Sequence, residues 1–202
     1  MHATDRNHLL LSGMVEAAPL YSHTLQGAAF YRVPLRVERL SGTSDHLPVT
    51  MPERLIQGEI RPGLWLSVEG QLRSYDRYDE TGRHLLITAY ARHAEPCLAA
   101  ASENEVQLEG AVCRPPVYRL TPLGREITDL LIGCKRLYGK TDYLPVIAWG
   151  GCARRTAALP PGQRLSVFGR LQSRTFEKVL PDGTTEERVA YEVSASRIAL
   201  PG

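Results

Sequence analysis

Lysine is missing from the first 103 residues of this 202-residue chain. The ten arginines of that stretch meet twelve acidic residues and leave it at −2, whereas residues 104–202 set fourteen Lys and Arg against ten acids and stand at +4. All six histidines also fall in the first half, so the halves differ in electrostatic character and a polyanion would prefer the second. Cysteine is scarce, and Cys97, Cys113, Cys134 and Cys152 include no Cys-x-x-Cys pair. That spacing excludes a zinc ribbon and a disulfide framework, and it fits a reducing cytosol. No apolar run approaches the ~20 residues of a membrane span, and the opening "MHATDRNHLLLSG" is too short in its apolar part for a secretory signal. Catalytic signatures are missing too: no Gly-x-Ser-x-Gly elbow, no His-Glu-x-x-His and no paired carboxylates in a shared motif. The reading is a cytoplasmic protein that is not an enzyme and needs no metal or cofactor.

What is present includes one false lead. "GCKRLYGKTDYLPVIAWG" carries Gly139-Lys140-Thr141, the end of a phosphate-binding loop. Such a loop needs four residues between its first glycine and the Gly-Lys pair, so that successive N–H groups curl around the phosphates. Gly133 and Gly139 enclose five, and strand-like residues follow where a helix should begin. A hairpin loop accounts for the stretch better.

The chain also repeats itself. An offset of 97 pairs Asn7 with Asn104, Gly13 with Gly110, Pro19 with Pro116, Arg39 with Arg136 and Gly42 with Gly139. It lays "DHLPV" (Asp45–Val49) on "DYLPV" (Asp142–Val146), and after a small shift "GLWLSVEGQLRS" matches "GQRLSVFGRLQS". The protein is read as a tandem duplication of a unit of about 100 residues, with domains at 1–98 and 99–202.

Each unit reads as short strands. Val106, Leu108 and Val112 alternate on one face of "VQLEGAV", and Leu165, Val167, Gly169 and Leu171 point inward from "RLSVFGRLQSRTF". "ARRTAALPPG" fits one or two helical turns stopped by Pro160 and Pro161, and "LPDGTTEER" holds a Pro-Asp-Gly turn. Five strands with a short helix between the third and fourth give an all-β fold of two tandem five-stranded OB barrels, a scaffold that commonly binds oligonucleotides.

The second unit resembles the bacterial single-stranded DNA-binding protein (SSB) family. The matching residues are "NEVQLEGAVCRPP", "RLTPLG", "TDYLPVIAWG", "PGQRLSVFGRLQSRTFEK" and "YEVSASRIAL", specific when taken together. The first unit looks like a diverged copy. The resemblance implies a nucleoid-associated protein that coats single-stranded DNA in replication, recombination and repair. Such assemblies normally hold four OB units, so two units per chain imply a homodimer. SSB proteins usually finish in a flexible tail with an acidic-hydrophobic tip, whereas this sequence stops at "SRIALPG". Recruitment of replication proteins is therefore not expected, and a specialised or mobile-element version fits. The rival reading is an OB-fold interaction or assembly module, a primosome-like or mobile-element accessory protein, because fold alone does not fix function.

Non-specific strand binding needs flat side chains for bases and cations for phosphates. Tyr143 and Trp149 lie six apart in "YLPVIAW", on one face of an unbulged strand, and fall where the family stacks bases. The alternative for both is core or subunit packing. Arg164, Phe168, Arg170, Gln172, Arg174 and Phe176 share the face opposite Leu165, Val167 and Leu171, with Lys178 beyond them. Phe176 matches another family aromatic; an ordinary solvated strand face is the alternative. The loop holding Arg136, Tyr138 and Lys140 could clasp a strand or be basic through exposure alone. The first unit has His46 and Pro52 in place of Tyr143 and Trp149, and its Trp65 falls outside the stacking positions. It is read as chiefly architectural.

Overall fold

The computed structural model describes residues 5–56, 60–79, 82–98, 103–180 and 183–201. The first half holds β1 (Asn7–Val15), β2 (Leu20–Leu25), β3 (Ala28–Glu38), β4 (Ser44–Pro52), β5 (Trp65–Asp79) and β6 (Gly82–Pro96). The second half repeats the order with β7 (Asn104–Val112), β8 (Val117–Leu120), β9 (Glu126–Lys135), β10 (Thr141–Trp149), β11 (Arg164–Val179) and β12 (Thr185–Ala199). Five strands of each half close a ring, β1-β3-β4-β6-β5 and β7-β9-β10-β12-β11, sealed by the β1–β3 and β7–β9 pairings. These are two OB barrels in tandem. The short strands β2 and β8 hydrogen-bond outside the rings, at the two ends of the sheet.

Strand alternation builds both cores. Leu9, Leu11, Val33, Leu35, Leu47 and Val49 fill the first barrel, and Val106, Leu108, Ile132, Leu144, Val167 and Leu171 fill the second. The short helix α1 (Gly151–Thr156) follows β10 and buries Ala153 and Thr156 against the second barrel. It starts two residues before the Ala-rich stretch and stops before Pro160. The first barrel has a single 3-10 turn at Glu53–Leu55 in the same place. The Gly-Lys-Thr stretch lies in the β9–β10 hairpin, where Lys135 pairs with Thr141 across a 3-10 turn at Leu137–Gly139. A hairpin, then, as its spacing indicated. The β11–β12 hairpin closes through Gly183 N–H donating to Leu180 O at 2.9 Å, while Pro181 and Asp182 lie outside the described residues.

The barrels join edge to edge. β1 and β7 pair antiparallel, with Asn7 opposite Leu108, Leu9 opposite Val106 and Leu11 opposite Asn104. Since Val106 is the repeat counterpart of Leu9, the pairing is its own mirror about a local dyad, an isologous contact inside one chain. Asn7 and Asn104 complete each ladder end. The Asn7 side chain donates to Leu72 O and accepts from Leu72 N–H, both at 2.8 Å, and Asn104 does the same with Leu171. The proposed domain boundary at 98/99 adjoins residues 99–102, outside the described residues. Among the described residues no helix is long and apolar enough to cross a membrane.

Candidate nucleic-acid interface

Two buried carboxylates organise the seam. Asp45 at the start of β4 and Asp142 at the start of β10 are both 0% exposed, and each accepts hydrogen bonds from its own barrel and from the other. Arg39 Nε donates to Asp45 at 2.7 Å, and Ser173 N–H of the second barrel donates to it at 2.7 Å. Arg136 Nε donates to Asp142 at 2.6 Å, and Ser74 N–H of the first barrel at 2.7 Å. A second arginine reaches each carboxylate across the seam, Arg170 to Asp45 at 3.4 Å and Arg73 to Asp142 at 2.9 Å. Asp45 holds Arg39 above its ordinary pKa through their hydrogen bond. Burial lowers Arg170, helped by the neighbouring charge of Arg39.

Beside the first clamp, a cleft of about 360 Å³ brings Trp149 together with Arg39, Arg125, Arg170 and Arg174. Trp149 is half-buried, and its Nε1–H donates to Ser194 Oγ at 3.1 Å, which fixes the ring at the cleft wall. Beyond Arg174 along β11, the Arg174 guanidinium sits 5.3 Å from the Phe176 ring centroid, within cation–π range. Lys178 follows farther out, opposite Glu186. This basic, aromatic strip can take base faces against its rings and phosphates against its arginines.

The expected residues do not all fall here. Tyr143 is 42% exposed on β10, but at the seam end of the strand, where its N–H donates to Ser74 Oγ at 2.8 Å. Six residues of strand separate it from Trp149 by roughly 20 Å. Arg136 and Lys140 line a different cleft, on the other side of the seam. Tyr138 lies in the 3-10 turn between β9 and β10, and its side chain is outside the described structure. Arg136 and Arg170, expected as phosphate contacts, have their charges engaged by Asp142 and Asp45, because burial forces those carboxylates to be matched. Gln172, expected on the open basic face, is buried and donates to Glu192 Oε1 at 2.8 Å. Arg125 joins the cleft without a sequence signal: it lies just before β9, and only the fold carries it to Trp149. In the first barrel, Trp65 is half-buried at the start of β5 opposite Met14, away from either cleft.

Comparison with known proteins bears on the fold. Residues 103–201 match the single-strand binding protein family. The wild-type single-stranded DNA binding protein from Thermus aquaticus has the same fold, with TM-score 0.77 and 24% identity over 99% of this chain and 95% of that one. A deletion mutant of that protein aligns with TM-score 0.78 and 24% identity over 99% and 96%. No curated protein matches the sequence. The second barrel is thus similar to the single-strand binding protein family, and the chain as a whole is a tandem of two OB folds.

Proposed function

We propose that this chain binds single-stranded DNA without sequence preference, stacking bases on Trp149 and Phe176 and holding phosphates with Arg125, Arg174 and Lys178. The observation that carries the reading is the cleft in which Trp149 stands among four arginines. Arg39 and Arg170 are shared with a buried carboxylate, but Arg125 makes no ion pair among the described residues, and Arg174 meets Glu192 only at 3.5 Å. Lys140 and Tyr143 lie farther along, at the seam. The role is coating of unpaired strands in replication, recombination or repair in the cytoplasm at the nucleoid, by two chains that together present four barrels, with no catalysis.

The test is tryptophan fluorescence in a Trp65→Phe background, titrated with oligo-dT, oligo-U and duplex DNA, with light scattering for mass. Oligo-dT should quench Trp149 strongly and duplex should not, while scattering gives the mass of two chains. A titration insensitive to salt would count against the reading, because phosphate contacts make log affinity fall with log salt. Such a result would favour an assembly module instead. The feature behind that second reading is the pair of edge strands β2 and β8, which expose Leu20, Tyr21 and Leu25, and Val117 and Leu120, beside open backbone groups.

A further inference from the structure

The local dyad that relates the barrels also relates two clefts, one beside each carboxylate clamp, and the two have diverged. Arg39 and Asp45 flank the Trp149 cleft; their repeat counterparts Arg136 and Asp142 flank the other. At the position of Trp149 the first unit has Pro52, and no aromatic ring lines the second cleft among the described side chains. That cleft is larger, about 710 Å³, and it gathers Arg73, Arg92, Lys135, Arg136 and Lys140 around Asp142.

Charge accounting separates these cations. Asp142 engages Arg73 and Arg136. Asp5, also on the cleft wall, is taken by Arg164, which approaches to 2.5 Å. Arg92, Lys135 and Lys140 are exposed, and their side chains have no hydrogen bond or ion pair among the described residues. Arg73 has its pKa lowered by burial and by the charges of Arg136 and Arg92, against the pull of Asp142. The cleft therefore holds more positive charge than its carboxylates neutralise, and an anion would relieve the excess.

We infer that the cleft of Arg92, Lys135 and Lys140 binds the sugar-phosphate backbone of the strand, without base stacking, as that strand passes across the seam from Trp149. This rests on the single-strand reading and deepens it. The open trough with dispersed cations suits a run of phosphodiesters rather than one compact anion, and a cleft with no ring among its described side chains makes no demand on the bases. The first barrel then contributes to binding through charge alone.

A variant with Arg92, Lys135 and Lys140 all changed to Ala tests the inference. These side chains are exposed and leave both clamps intact, so circular dichroism should match wild type. Affinity is measured against salt for oligo-dT and for an abasic oligodeoxynucleotide of equal length, which keeps phosphates and lacks bases. Losing three phosphate contacts should flatten the log–log salt slope by about 2 for both probes, at about 0.7 per charge on single strands. Quenching of Trp149 at saturating oligo-dT should stay as in wild type. An unchanged slope with either probe overturns the inference, and so does displacement of the abasic probe by inorganic phosphate at constant ionic strength, which would mark a small-anion site. Wild-type protein that binds neither probe removes the single-strand reading as well, whereas wild-type binding with an unaltered variant slope removes this inference alone.

Discussion

Trp149 and Cys134 lie on paired strands and face opposite environments. The indole lines an open cleft while its N–H is tied to Ser194, so a base can lie against it without the protein first ordering the ring. Base–aromatic stacking contributes about 1–3 kcal/mol per base. Trp149→Ala and Phe176→Ala should each weaken oligo-dT binding by about that much, measured by anisotropy of a labelled oligonucleotide. Trp65→Ala should cost less than either; a larger loss would reverse the roles given to the two barrels. Cys134 is sealed within the second barrel, and burial, with the charges of Asp5 and Asp142, pushes its thiol up to about 12. At pH 8 a disulfide reagent should leave Cys134 untouched until the protein unfolds, while exposed Cys113 reacts. A thiol raised from its ordinary 9.0 contributes fully to stability below that pH, and its contribution is lost as pH rises from about 9 to about 12. Urea midpoints at both ends of that window, for wild type and Cys134→Ala, should show the steeper decline in wild type.

At the scale of strands, the duplication makes much of the fold legible. Gly70 and Gly169 correspond in the two copies, and each sits on a long strand beside a register shift in the barrel wall. A Cβ on Gly70 would stand 2.1 Å from Tyr90 O, and one on Gly169 would stand 2.2 Å from Ser194 O. Backbone cannot yield as a flexible side-chain tip can, so Gly70→Ala and Gly169→Ala should each destabilise by about 1–3 kcal/mol or more in urea unfolding. Wild-type midpoints for both would show that the strands can part there. Alternation gave the inward residues of β7 and β11 directly, and the spacing around Gly139 identified a hairpin. The seam was not legible in the same way. "DHLPV" and "DYLPV" declare themselves as a repeat, but periodicity describes one strand at a time. It cannot say that Asp45 and Asp142 will each be buried against the other barrel. Arg136 and Arg170 therefore read as free basic residues, and Gln172 as part of an open face, although Asp142, Asp45 and Glu192 engage them in the fold. Arg125 carries no signal of its own in the sequence, because its link to Trp149 is wholly tertiary.

Across the whole molecule, the two clamps couple cohesion of the barrels to the supply of positive charge. The clamps are unequal, and the difference predicts an order of effects. Asp142 holds two guanidiniums that are 22% and 25% exposed at short range, while Asp45 holds one at 24% and a more exposed one, 36%, at 3.4 Å. Removing the acid from a buried pair costs about 3–5 kcal/mol when the remaining charge is left dry, and less where water reaches it. Asp142→Ala should therefore destabilise the protein more than Asp45→Ala, with the first near the lower end of that range, read from urea midpoints. The same substitution releases Arg73 and Arg136 into the second cleft, where each can meet a phosphate. Binding should then move opposite to stability: in Asp142→Ala the salt slope steepens by up to about 1.4, two charges at about 0.7 each, while the midpoint falls. An Asp142→Ala protein that is destabilised but keeps the wild-type slope would show that its freed arginines do not reach the strand, and that the clamp serves cohesion alone.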